Sequence, residues 1–195
     1  MNLEYLGDAL DHWKGSIFAR LQKEGVLKDF AADPMSTDTG PWHAADFHLS
    51  ADLLQLRADQ ILRHKTKLRD HRKEYFTEIR HSGDLFVDPD TGIAPPHLGR
   101  RYKYITVEEV HQLLGSKSPR LLCIYQHIRG EKTRDRVAKS ISALRELSAN
   151  VCYCSYESAT VAMLFLSRER NRTEQVSRYF KKYLGRHSDM RVFSG

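Results

Sequence analysis

Short, uninterrupted apolar runs alternate along this chain with stretches of helical periodicity, and that alternation narrows the folds open to it. Leu121 to Tyr125 and Val161 to Leu166 are apolar on both sides of any strand they could form. A strand of that kind is buried on both faces, as in sheets covered by helices above and below. Between such runs the apolar residues step by threes and fours. Leu3, Leu6, Leu10, Trp13, Ile17 and Leu21 predict a first helix ended by Gly25, and Val137, Ile141, Leu144 and Leu147 another. Val176, Phe180, Tyr183 and Leu184 predict a last helix that stops at Gly185.

Further strands are expected at Leu27 to Ala32, closing on Asp33-Pro34, at Leu85 to Val87, closing on Asp88-Pro89-Asp90, at Val151 to Ser155, and near Val192. A long helical pattern, with room for one break, runs from about Ser50 to Ile79. Its face carries Leu54, Ala58, Ile61, Leu68, Tyr75 and Ile79, interrupted by Lys65 and Arg72. Those two cations read as stems lying on the core with their charges in water, in preference to phosphate ligands. Thr106 and Glu109 have the spacing of a capping box and open a short helix closed by Gly115. The strands at 151–155 and 161–167 stand too close for a crossover and must pair antiparallel. The expectation is a single α/β domain over residues 1–195: a three-layer, Rossmann-like sandwich, mainly parallel, with a C-terminal antiparallel hairpin.

Composition sets limits on partners. Lys and Arg number 31 against 25 Asp and Glu, a formal charge of +6, which admits a nucleic-acid partner without requiring one. No apolar run approaches the ~18–20 residues of a membrane span, and the first residues lack the pattern of a secretory signal. A cytoplasmic protein with no membrane partner is expected. Cys123, Cys152 and Cys154 sit in apolar, strand-like runs and read as buried thiols of a reducing compartment.

In a sheet of this type, ligands bind beyond the carboxyl ends of the parallel strands. The chain places Asp33, then Asp88 and Asp90, then Gln126 and His127, then Ser155 and Glu157 at those ends. Asp33, Asp88 and Asp90 are candidate ligands for a hard divalent cation, Mg²⁺ or Mn²⁺, which favours oxygen donors. His127 would carry a proton, Gln126 would orient water or substrate, and Glu157 would stand by as a further acid. Arg100, Arg101 and Lys103, in a basic loop, are candidate contacts to a phosphate backbone. Together they predict a metal-dependent phosphoesterase or nuclease acting on a phosphate-bearing substrate, nucleic acid among the candidates. The alternative is a non-catalytic nucleic-acid or protein-binding module. Neither a nucleophile elbow around Ser155 or Ser158, nor zinc-type histidine spacing, nor a phosphate-cradling glycine loop is present.

From Leu85 onward, the order strand with Asp88-Pro89-Asp90, helix, strand, helix, hairpin resembles the second half of Rossmann-like S-adenosylmethionine-dependent methyltransferases. In that family an Asp-Pro-Pro-Tyr-type motif follows the equivalent strand. The resemblance implies a degenerate methyltransferase-like protein in which Asp88 would hold a target amino group. It departs at Asp90, which replaces the second proline, and at Pro34 to Asp38, where the family has a glycine-rich cofactor loop. Haloacid-dehalogenase-type phosphatases also place Asp-x-Asp after an apolar strand, but after the first one.

Overall fold

The computed structural model describes residues 3–37, 40–95, 101–115, 119–128 and 130–195. A 3-10 turn, Leu3–Tyr5, precedes helix α1, Ala9–Lys23. Asp8 caps α1, its carboxylate accepting the amide hydrogens of Leu10 and Asp11, so the helix begins later than the apolar spacing alone predicts. Gly25, at φ +66°, allows the reversal that ends it. Strand β1 is Ala31–Asp33 and helix α2 is Ala44–Leu54. Helix α3 is Arg72–Glu78, followed by strands β2, Leu85–Val87, and β3, Gly92–Ile93. Then come β4, Tyr104–Ile105, and helix α4, Val107–Leu114, with the Thr106–Glu109 capping box in place. Strand β5, Leu122–His127, helix α5, Thr133–Leu147, and strands β6, Cys152–Glu157, and β7, Val161–Ser167, follow. Helix α6, Arg170–Leu184, and strand β8, Val192–Ser194, complete the chain.

The helical pattern expected from Ser50 to Ile79, with room for one break, is interrupted over most of its middle. Gln55 adopts a left-handed conformation, φ 55° and ψ 47°, and closes α2. Ile61 then bridges Ala32 in parallel, and the Leu62 amide donates to the Ala32 carbonyl at 2.8 Å. An outer strand edge needs partners for its backbone groups, and the segment supplies them. Leu54, Ile61, Leu68 and Tyr75 of that stripe are still buried, and Ala58 and Ile79 partly so, but from separate elements. Arg72 does not face solvent as a simple snorkel either: its guanidinium pairs with Glu109 and donates to the Tyr104 carbonyl.

Six strands form one sheet in the order β1-β2-β5-β7-β6-β8. β1, β2 and β5 pair in parallel, whereas β7 runs antiparallel to β5 and β6, and β8 runs antiparallel to β6. Four strands therefore share one direction and two oppose it. The β6–β7 hairpin agrees with expectation, but β7 sits between β5 and β6. β3 and β4 make a separate parallel pair.

Strand alternation divides the apolar residues into two cores. Ala32, Phe86, Cys123 and Tyr125 pack with Phe18 and Leu21 of α1, Leu54 of α2 and Phe180 of α6. Ala31, Leu85, Val87, Leu122 and Ile124 pack with Tyr75 of α3, Leu113 of α4 and Ile141 of α5. Gly15 permits α1 and α2 to touch: a Cβ there would lie 2.0 Å from the Leu53 carbonyl oxygen. At the amino end of β2, buried Asp84 gathers the chain. It accepts from the amides of Lys28 and Leu121 and pairs with Arg172 at 2.5 Å. No helix is long and apolar enough, among the described residues, to cross a membrane.

Candidate functional site

The carboxyl edge of the parallel strands carries two polar clusters, one on each face of the sheet. β1 and β2 pair with Asp33 opposite Val87, so Asp88, one residue further on, projects to the other face. The expected convergence of Asp33 and Asp88 side chains is therefore not formed. Adjacent strand ends share an edge, but alternation decides the face.

On the first face, Asp88 meets α1. Lys14, 5% exposed, donates from Nζ to Asp88 Oδ2 at 2.8 Å and to Asp11 Oδ1 at 2.9 Å. Asp11 in turn accepts the Gly7 amide through Oδ2. Burial alone would lower the Lys14 pKa, but the charges of Asp88 and Asp11 outweigh it and hold the ammonium well above the ordinary lysine range. Burial pushes the Asp88 carboxyl upward against the pull of Lys14. With two carboxylates on one nitrogen, the cluster is an ammonium between two acids. Lys14 also stands 4.5 Å from the centre of the Tyr125 ring.

This cluster floors a cavity of about 320 Å³ lined further by Asp8, Asp90, Lys103 and His127. The size is that of a small-molecule site. Tyr125 is 4% exposed, lines the cavity, and its hydroxyl has no hydrogen-bond partner. Burial pushes that hydroxyl upward, so it stays protonated at neutral pH. Asp90 accepts from the Thr37 hydroxyl at 2.7 Å, which ties the loop after β1 to the loop after β2. Among the described residues, the cavity wall carries four carboxylates, Asp8, Asp11, Asp88 and Asp90, and two ammonium groups, Lys14 and Lys103.

Asp88, Asp90, His127 and Lys103 are thus brought together as the sequence suggests, and Asp33 is not. Gln126 is fully buried and spent on the backbone. Its amide accepts from Ile93 N and donates to the carbonyls of Thr91 and His127, pinning β3 to β5 in place of orienting a substrate. Glu157, at the end of β6, accepts the Ser155 hydroxyl at 2.7 Å and lies 3.4 Å from Arg134; it does not line the cavity. Arg100 and the side chain of Arg101 lie outside the described residues. Among the described residues, no group of three or more His, Cys, Asp or Glu is placed to hold a metal ion.

On the second face, fully buried Asp33 accepts from Met35 N at 2.8 Å and from the Tyr75 hydroxyl at 2.5 Å. His64 Nε2 comes to 3.2 Å from Asp33 Oδ2 without hydrogen-bond alignment, and its ring centre lies 4.0 Å from that of Tyr75, tilted by 35°. Burial, reinforced by Asp33, raises the Tyr75 pKa well above the ordinary range.

Sequence reasoning missed Lys14 and Asp11, whose i,i+3 spacing looks like any helix-surface pair, and it missed Tyr125 as a cavity residue. Their position within the buried half of the first helix, beside Ile17 and Phe18, is the one signal that was available. It also missed His64, which no motif singles out. The sequence matches no protein-family model, and a search among curated proteins finds no match.

Proposed function

We propose that the chain is a three-layer, Rossmann-like α/β protein of methyltransferase type, in a degenerate form, whose cavity beside Asp88 receives an amine-bearing ligand. The observation that carries this reading is the Asp88 carboxylate at the end of a central parallel strand, with an amino nitrogen at 2.8 Å. In the methyltransferase resemblance, Asp88 is the residue that holds a target amino group; here Lys14 takes that role within the chain. The order of elements from β2 onward supports the resemblance. Charge supports the ligand class: among the described lining residues, four carboxylates against two ammonium groups favour a cation over a bare phosphate dianion. Tyr125, as a protonated hydroxyl without a partner, and His127 supply the remaining polar contacts.

S-adenosylmethionine does not fit the segment after β1. Met35 is fully buried there at φ 44°, where the family needs glycine for close backbone approach, and no step is drawn through the cofactor. A metal-assisted phosphoesterase is the second reading, favoured by Asp88, Asp90 and His127 lining one cavity. Its donor set falls short on this face, because Asp33 is turned away and Asp88 is engaged by Lys14.

Thermal unfolding with graded butylammonium, tetramethylammonium and Mn²⁺ tests the reading, since a ligand of the native state stabilises as RT ln(1 + [L]/Kd). A saturable rise with butylammonium alone, lost in Asp90→Asn, is expected. Equal responses to butylammonium and tetramethylammonium reduce the effect to salt and overturn the amine site. A response to Mn²⁺ that Asp90→Asn removes, with none to butylammonium, establishes the metal reading in its place.

A further inference from the structure

We infer that the opposite face of the same edge holds a second, independent site, for a nucleoside monophosphate unit. A cavity of about 260 Å³ opens beside Asp33, His64 and Tyr75, with His64 and Tyr75 in its wall. Trp42 and Phe47 form an aromatic flank, their ring centres 5.3 Å apart and tilted by 54°. Arg63, Lys65 and Lys67 also line it, and no described acidic residue does. Exposure alternates from residue 62 to residue 67, and the three cations are the exposed members. Arg63 already lies over the Phe47 ring, 4.8 Å from its centre, so charge and aromatic surface meet at one wall.

The two cavities thus carry opposite charge at one sheet edge. The first is net acidic and suits an amine; the second is cationic and aromatic. An aromatic ring with an attached anion satisfies both features of the second. Base–aromatic stacking contributes about 1–3 kcal/mol per base, and cations beside it track the phosphate. A nucleobase would lie against Trp42 and Phe47, with its phosphate toward Arg63, Lys65 and Lys67. The unit is either a free nucleotide or one residue of a single strand. Lys65, expected from sequence to be a snorkelling stem, becomes a phosphate contact under this assignment.

The chain has two tryptophans, and Trp13→Phe leaves Trp42 as the sole reporter. In that background, Trp42 fluorescence is titrated with AMP, CMP, inorganic phosphate and a short single-stranded oligonucleotide. Saturable quenching by nucleotide is expected, at least tenfold weaker in Arg63→Ala/Lys65→Ala with an unchanged melting temperature. Saturating butylammonium, the probe of the first cavity, leaves it intact, which separates this site from the amine site. Quenching by the oligonucleotide but not by AMP or CMP identifies a strand as the source. A response to inorganic phosphate equal to that of the nucleotides, or no response to any probe, overturns the assignment.

Discussion

Replacing Lys14 by Met removes a cation that bridges two buried carboxylates. Lys14 contributes two charge-assisted hydrogen bonds, at 2.8 and 2.9 Å, and both acids are nearly inaccessible, at 2% exposure each. Breaking a buried pair by deleting one partner costs about 3–5 kcal/mol, because the remaining charge loses a close counter-charge. A chain of this length shifts by about 2–4 °C per kcal/mol, so Lys14→Met should melt roughly 6–20 °C lower at pH 7. The penalty has a pH signature. Without the ammonium, a stranded carboxyl folds more readily when protonated, so the loss should shrink by about 1.4 kcal/mol per unit as pH falls from 7 toward 5. Adding Asp88→Asn to Lys14→Met should recover part of the loss by removing the stranded charge. Urea unfolding of the three proteins at pH 5, 6 and 7 measures all of this. A penalty below about 1 kcal/mol, or one independent of pH, would refute the buried-triad account.

Gly15→Ala should destabilise by several kcal/mol, since its Cβ would meet the Leu53 carbonyl oxygen at 2.0 Å and force α1 and α2 apart; an unfolding midpoint within error of wild type contradicts that contact. Alkaline pH should weaken the fold progressively. Lys14 has a folded pKa raised above its reference of 10.5, and Tyr75 and Tyr125 are raised above 10.0. In each case the folded form holds its proton longer than the unfolded chain, so the stabilisation is complete below about pH 10 and is lost above it. Urea midpoints measured from pH 8 to 11 should be level to about pH 10 and then fall, and a flat profile to pH 11 rules it out.

Several elements were legible without coordinates. The capping box at Thr106 and Glu109, the stop at Gly25, the hairpin at 152–167 and the apolar strand at 122–127 all follow from local chemistry, and each is formed. So was the acidic strand exit at Asp88. The helix expected over 50–79 failed for a non-local reason: the outer edge of β1 recruits Ile61 and Leu62, and a backbone pairing requirement overrode side-chain periodicity. Gln126 shows the same limit at a single residue. Its place at a strand end suggested catalysis, whereas contact with the β3 backbone at Gly92 and Ile93 consumed its amide.

The sequence by itself determined which residues reach the carboxyl edge, because strand ends are written in local apolar runs and their polar exits. The tertiary structure alone decided which of those residues meet. Pairing register sends Asp33 and Asp88 to opposite faces, and the packing of α1 across one face brings Lys14 to Asp88 over a separation of 74 residues. Register and helix docking are settled by contacts between distant segments, and for that reason one edge carries two cavities whose described walls differ in charge.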